Sequence, residues 1–253
     1  MKIDLKGKIA LVCGAGDGIG KAVAHSLHEA GAEIIALSRT ASKIDASVCS
    51  EIIELDMADT MKLRQAVNNL LQYRSAIHII VHNTGGPAPG PILQAKEEDF
   101  LIAFHQHVLS AQVLASLIIP GMAEVRYGRI INIVSTSVKA PLKGLGVSNT
   151  IRGAMSSWAK TLSNEWAAYG ITINNVLPGA TLTQRLRDII HQKAIETGKT
   201  EIEIQKHLLS EIPAGRFAEP KEPASLVTFL ASEYAGYITG TSIPVDGGRT
   251  PCF

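Results

Sequence analysis

The sequence predicts an α/β chain: a single doubly wound domain in which a seven-stranded parallel sheet carries helices on both faces. Short apolar runs alternate with longer helical patterns along the whole length. Most of those runs are continuous rather than alternating in polarity, as expected of strands buried on both faces. Strand and helix in alternation build a parallel sheet through right-handed crossovers. No internal repeat, low-complexity tract or linker interrupts the rhythm. At 253 residues the chain has the length of one such domain and can bury a large core without disulfides or metals.

The elements follow in order. KIALVCGAG (8–16) reads as a strand entering a glycine-rich turn, and a helix over 18–30 stops at Gly31. EIIALSR (33–39) and SEIIELD (50–56) are the second and third strands, followed by a helix over 59–73. IHIIVHNTG (77–85) is the fourth strand, and a long helix spans 96–125. GRIINIVST (128–136) is the fifth, with a helix over 147–168 that stops at Gly170 before the sixth strand, GITINNVLPG (170–179). A helix over 222–234, with Pro223 in its first turn, leads to the last strand, TSIPVDGG (241–248). Residues 180–216 stand outside this rhythm: they are rich in charge, contain no obvious strand, and follow the carboxyl end of a strand, where an active-site lid sits. Residues 1–253 are therefore read as one domain, with 180–216 as a substrate lid.

Composition narrows the partners. A net charge of +1 provides no broad field for nucleic acid or an anionic membrane. The start lacks an apolar signal core with a cleavage site. No window reaches 18 apolar residues, and the longest candidate, AQVLASLIIPGM, is interrupted by Pro120. Cys13, Cys49 and Cys252 are odd in number, far apart and without a CxxC pair. They read as free thiols in a reducing cytoplasm, with no metal site.

The chemistry begins at CGAGDGIG. Gly14, Gly18 and Gly20 form G-x-x-x-G-x-G after the first strand, with Asp17 and Ile19 between them. Glycines there let the backbone turn sharply and approach a pyrophosphate, which rests on the helix N-terminus. HNTGG (82–86) ends the fourth strand, LPGATLT (177–183) follows the sixth, and YITGTSIPVDGG (237–248) closes the chain. These four pieces in register resemble the short-chain dehydrogenase/reductase family, of the type that includes the β-ketoacyl-carrier-protein reductases, from residue 5 to 248.

The resemblance implies a Rossmann-type dinucleotide site. Asn83 and Gly85 line the adenine–ribose side, and Pro178, Gly179 and Thr183 close over the nicotinamide. Asp56, with Met57 beside it, meets the adenine amino group or instead caps the following helix. NAD users place a carboxylate at the end of the second strand; this chain has Ser38 and Arg39, and a guanidinium suits a 2′-phosphate. NADP(H) is favoured. NAD(H) stays open, because Asp17 stands where many NADP users carry a base and Arg39 also fits a solvated surface charge.

The family works with serine, tyrosine, lysine and asparagine. Followed through this sequence, the serine is Ser135, but the tyrosine position holds Ser148, the lysine position Arg152 and the asparagine position His107. No Y-x-x-x-K occurs anywhere. A serine is a far poorer acid than a phenol of pKa ~10, and a guanidinium does not give up its proton. Arg152 remains able to bind ribose hydroxyls and to stabilise negative charge on a carbonyl oxygen. His107 titrates near neutrality when unperturbed, so it would be the proton source through a water if its helix aims it at the cleft; otherwise it is structural. Ser148 either faces the cleft or fills space as an N-cap-like residue.

Three functions remain open: an NADP(H)-dependent reductase of a ketone or 3-oxoacyl-type substrate with altered proton transfer, an inactive nucleotide-binding sensor or assembly protein, and a non-redox reaction on the same scaffold. The lid mixes Arg185, Arg187, Lys193, Lys199 and Lys206 with Leu186, Ile189, Ile190 and Leu209. That mixture fits an anionic, partly apolar small-molecule substrate or an ordinary amphipathic lid. The resemblance also implies a homotetramer joined through 104–126, 147–168 and the tail to Phe253, where VLASLII and AMSSWAKTL carry a surplus of apolar residues.

Overall fold

The computed structural model describes residues 2–252; Phe253, named in the expected tetramer contact, lies outside them. Seven parallel strands form one sheet in the order β3-β2-β1-β4-β5-β6-β7. They are β1 (Ile9–Cys13), β2 (Glu33–Ser38), β3 (Glu51–Glu54), β4 (Ile79–His82), β5 (Gly128–Ile133), β6 (Ile171–Pro178) and β7 (Ser242–Val245). The chain winds outward from β1 to β3, then returns to place β4 on the other side of β1, in the register Ala10–Ile79 to Val12–Val81. That reversal makes a crevice at the carboxyl ends of β1 and β4, where open α/β sheets hold their ligands.

The strands are continuous apolar runs because both faces are covered. On one face α1 (Gly18–Glu29) and α8 (Lys221–Ala231) pack with Val12, Ala36 and Val81; on the other, α2 (Thr60–Leu71) and the long helix pack with Leu11, Ile35 and Ile80. Pro223 lies in the first turn of α8, and Gly31 and Gly170 end their helices at positive φ, as expected.

The long helix, Glu97–Glu124, differs from the predicted uniform α-helix. It is α3 (Glu97–Phe104), a π-helical stretch (His105–Leu109) and α4 (Ser110–Glu124). A π segment inserts a wider turn, a departure that recurs at functional sites. Pro120 does not break the helix; it is carried exposed near the end of α4. By length and composition this helix would cross a membrane, but Leu114, Ile118 and Met122 are spent on the sheet.

The expected apolar surplus of VLASLII is consumed in the same way: Val113, Leu114, Ala115, Ile118 and Ile119 are all buried within the subunit. The exposed apolar residues lie instead at Ile92, Leu93, Leu101, Ile102 and Phe104. The fifth helix, α5 (Gly146–Trp166), runs beside β6. The charged segment after β6 is a helical pair, α6 (Gln184–Thr197) and α7 (Glu201–Ser210), with its own small core of Leu186, Ile190, Ile204 and Leu208.

Candidate active site

The glycine turn and the fourth strand meet at the crevice. The Asn83 side-chain amide donates to the Gly14 carbonyl at 3.4 Å. A Cβ on Gly20 would collide with the Gly14 carbonyl oxygen and lie 2.6 Å from the Asn83 amide nitrogen, so only glycine lets the helix start this close to the turn. Gly14 and Gly18 both adopt positive φ. Thr183 caps α6 and sits over the same turn, its methyl 2.9 Å from where a Gly18 Cβ would be. Pro178 ends β6, and Gly179 passes tightly against Asp246. Turn, Asn83 and Thr183 thus converge from three distant parts of the chain.

Asp17 is the N-cap of α1; its carboxylate accepts the Gly18 N–H at 2.6 Å. Ile19 packs half-buried against the core beneath. Arg39 is exposed, with one guanidinium nitrogen 3.9 Å from a Cβ built on Gly85, and no carboxylate within ion-pairing distance of it among the described residues. Ser38 stands beside Gly16, where a Cβ would lie 3.0 Å from its hydroxyl oxygen. Asp56 is exposed and is not a helix cap: Asp59 fills that role for α2, and Asp56 takes the Ala58 N–H. Met57 is buried in the core, leaving only its backbone for a ligand.

At the end of β5, the Ser135 hydroxyl oxygen accepts the Ser137 N–H at 3.1 Å. Its own proton remains free to donate to a substrate oxygen. Arg152 reaches the same strand end and donates to the Ile133 carbonyl at 2.9 Å. It is 7% exposed. Burial, with the Arg185 charge adding to it, pulls its guanidinium down to about 10, still protonated at neutral pH. Its Nε has no partner. Ser148 lies half-buried one turn before Arg152 on the same face. It is not a cap: the N-cap of α5 is Leu145, and the Ser148 hydroxyl holds no hydrogen bond among the described residues.

His107 corrects an expectation. It lies in the π segment, 1% exposed, hydrogen-bonded to the Thr84 hydroxyl. Burial, with the Arg152 charge and the neighbouring His82 adding to it, pushes its imidazole down to about 2. The ring is neutral at any working pH, so it is no reservoir of an acidic proton. His82, also buried and brought to about 3 chiefly by desolvation, bonds Ser110 at 2.9 Å. Thr84, His82 and Ser110 escaped the sequence reading. The signal was present in HNTGG, which resembles the family's N-N-A-G motif but holds His82 and Thr84 in place of its first asparagine and its alanine.

Beside this centre lies a cavity of about 290 Å³, bordered by Pro87, Pro91, Ile102, Ala103, Gln106 and Val147. Arg185, from the first turn of α6, donates to the Pro87 carbonyl at 2.7 Å and ties the lid to the loop after β4.

Comparison with known proteins agrees with this geometry. The sequence model of the enoyl-(acyl carrier protein) reductase family matches residues 14–250. The chain is 32% identical to the 3-oxoacyl-(acyl-carrier-protein) reductase of Haemophilus influenzae, over 96% of this chain and 98% of that protein. L-Sorbose reductase from Gluconobacter frateurii, solved with NADPH and L-sorbose, superposes with a TM-score of 0.93 at 27% identity, covering 100% of both chains. YwfH, an NADPH-dependent reductase involved in bacilysin biosynthesis, superposes with a TM-score of 0.89 at 28% identity, covering 97% of this chain and 99% of that one.

Proposed function

The chain belongs to the short-chain dehydrogenase/reductase family, and from that premise we propose that it is an NADP(H)-dependent oxidoreductase reducing a ketone or 3-oxoacyl-type carbonyl with an altered proton path. The observation that carries the reading is the convergence of the glycine turn, Asn83 and Thr183 at the crevice where the strand order reverses. The Gly14–Gly20 cradle fits a pyrophosphate, and the unpaired Arg39 beside Gly85 fits a 2′-phosphate. When bound, the nicotinamide supplies the hydride. The protein's own part is to hold the carbonyl through Ser135 and to stabilise the developing oxygen charge through Arg152. Neither His107 nor Ser148 delivers a proton, so water reaching the alkoxide does so. The cavity beside Val147, of substrate size, favours this over a protein without chemistry.

The test is a panel of ketones and alcohols against both cofactors, read at the reduced-nicotinamide absorbance band, with Arg39→Asp alongside. NADPH is expected to bind and turn over in preference to NADH. Arg39→Asp removes a charge-assisted phosphate contact and adds repulsion, lowering NADPH affinity by roughly 10- to 100-fold and reversing or abolishing the preference. Equal affinities in the unmodified protein would defeat the claim and make Asp17 the deciding residue. NADPH binding without turnover of any carbonyl would favour the sensor.

The quaternary structure we propose is a homotetramer joined along the two long helices. The exposed Leu101, Ile102 and Phe104 on the first of these helices support a partner surface there. Light scattering at micromolar concentration is expected to report four subunits; a monomer refutes it. The free thiols of Cys13, Cys49 and Cys252 support a cytoplasmic setting.

A further inference from the structure

A buried guanidinium needs acceptors for its donors: Arg129 finds three carbonyl bonds and the Tyr127 ring, whereas Arg152 finds one carbonyl. Arg152 is over nine-tenths buried, donates one hydrogen bond to a neutral carbonyl, and leaves Nε without a partner. Arg185 arrives from the lid at the same place. A Cβ built on Gly86 would meet the Arg185 Nη2 at 3.5 Å and the Arg152 Nη2 at 3.9 Å. The two guanidinium groups therefore approach one backbone point, Arg152 from the buried side and Arg185 from the solvent side. Among the described residues, no carboxylate lies within ion-pairing distance of either. Arg187, by contrast, turns away to bond Gln184.

Two like charges are held together only against a cost, and Gly86 keeps the space between them clear of a side chain. Planar guanidinium forks match carboxylate and phosphate oxygens in paired hydrogen bonds. Pro87, the next residue, both accepts from Arg185 and borders the mainly apolar cavity of about 290 Å³, whose wall also carries Gln94, Gln106 and Asp99, the last engaged with the Lys96 N–H. The charged corner and the apolar room are thus contiguous.

We propose that Arg152 and Arg185 form a receptor for a substrate oxyanion, a carboxylate or a phosphate, so that the ketone handled here is an anionic one with a compact apolar body. The proposal rests on the reductase reading for its substrate, but the receptor itself is a matter of binding. Arg152 serves both the reacting oxygen and the anion; Arg185 serves the anion alone and brings the lid down with it.

The test is calorimetric titration of the protein saturated with NADP+. The probes are 3-oxobutanoate and benzoate, the methyl ester of each, and inorganic phosphate, against the unmodified protein and Arg185→Met. At least one carboxylate, or phosphate, is expected to bind at least 10-fold more tightly than the uncharged esters. Arg185→Met is expected to remove that preference by roughly 10- to 100-fold while NADP+ affinity and melting temperature hold. Phosphate binding that displaces the carboxylates points to a phosphate-bearing substrate; carboxylate binding with phosphate silent points to an oxo acid. The proposal is overturned if esters bind as well as anions, or if the preference survives Arg185→Met. It is equally overturned if the preference vanishes on saturation with NADP+, which assigns both guanidinium groups to the cofactor. Anion binding with no ketone turned over leaves the receptor standing and removes the reductase reading. Neutral ketones reduced as well as charged ones do the reverse.

Discussion

Arg152→Met is expected to raise the melting temperature of the ligand-free protein and to remove turnover. The guanidinium is buried, unpaired and repelled by Arg185. The desolvation of such an ion costs several kcal/mol after relaxation. Methionine has similar length and an adaptable shape, so it fills the space. Against the relief stands the lost bond to the Ile133 carbonyl, which leaves a buried acceptor unsatisfied at about 1–3 kcal/mol. The net is a gain of about 1–3 kcal/mol, or roughly 2–10 °C for a chain of this size. Turnover is expected to fall by about 10²–10³, the worth of one donor to a developing oxyanion.

Ser148→Ala is expected to cost far less. The double variant Ser148→Tyr with Arg152→Lys restores the family's phenol and ammonium, and ordinary ketone reduction is expected to appear or rise. Scanning calorimetry and steady-state kinetics check all three. A lowered melting temperature for Arg152→Met would mean that the charge is compensated after all. Loss of activity in Ser148→Ala as deep as in Arg152→Met would make the serine the essential acid or anchor.

The second large effect is loss of stability in mild acid. His82 and His107 are buried and neutral, with imidazoles held at about 3 and about 2; in the unfolded chain they titrate near 6.5. Below that value the unfolded state takes up protons that the folded state refuses, so stability is complete above pH ~6.5 and falls as the pH drops. Each histidine contributes about 1.4 kcal/mol per pH unit once well below 6.5, and the pair together about 4 kcal/mol between pH 7 and pH 5. Few carboxylates titrate in that window, and His78, lowered by partial burial and by the Lys8 charge, adds in the same direction. Since folded domains hold only about 5–15 kcal/mol in total, this is a large fraction. Denaturant titrations at the two pH values, at fixed protein concentration, measure it. His82→Asn and His107→Asn are each expected to remove about 2 kcal/mol of the difference between pH 7 and pH 5; a dependence unchanged in both variants would place its origin elsewhere.

The fold was legible because both-face burial leaves a plain mark. Runs such as IALVC and RIINIV have no polar alternation, and the glycine turn follows the first of them. The candidate site was legible where geometry is local: Gly14 follows the end of β1, Gly20 lies in the first turn of α1, and Ser135 follows the end of β5. It was not legible where function depends on what a side chain meets across the fold. Helix register places His107, but its neutrality comes from burial and from Arg152, 45 positions away. Arg185 looked like Arg187, Lys193, Lys199 and Lys206. Only the folded lid shows which of the five turns inward.

Until β4 arrives, β1 has one bare edge. The first three strands pair among themselves, and the returning strand begins only at Ile79. The waiting segment, Ala10 to Val12, is wholly apolar, the kind of unpaired edge on which chains associate wrongly. Pairings separated by so much sequence form late in folding. The crevice bridged by Asn83 and Gly14 is therefore also the seam along which a vulnerable half-sheet becomes a finished one. A molecule lodged across that seam acts as a clasp on the domain, holding together two halves of the sheet that meet only through distant sequence.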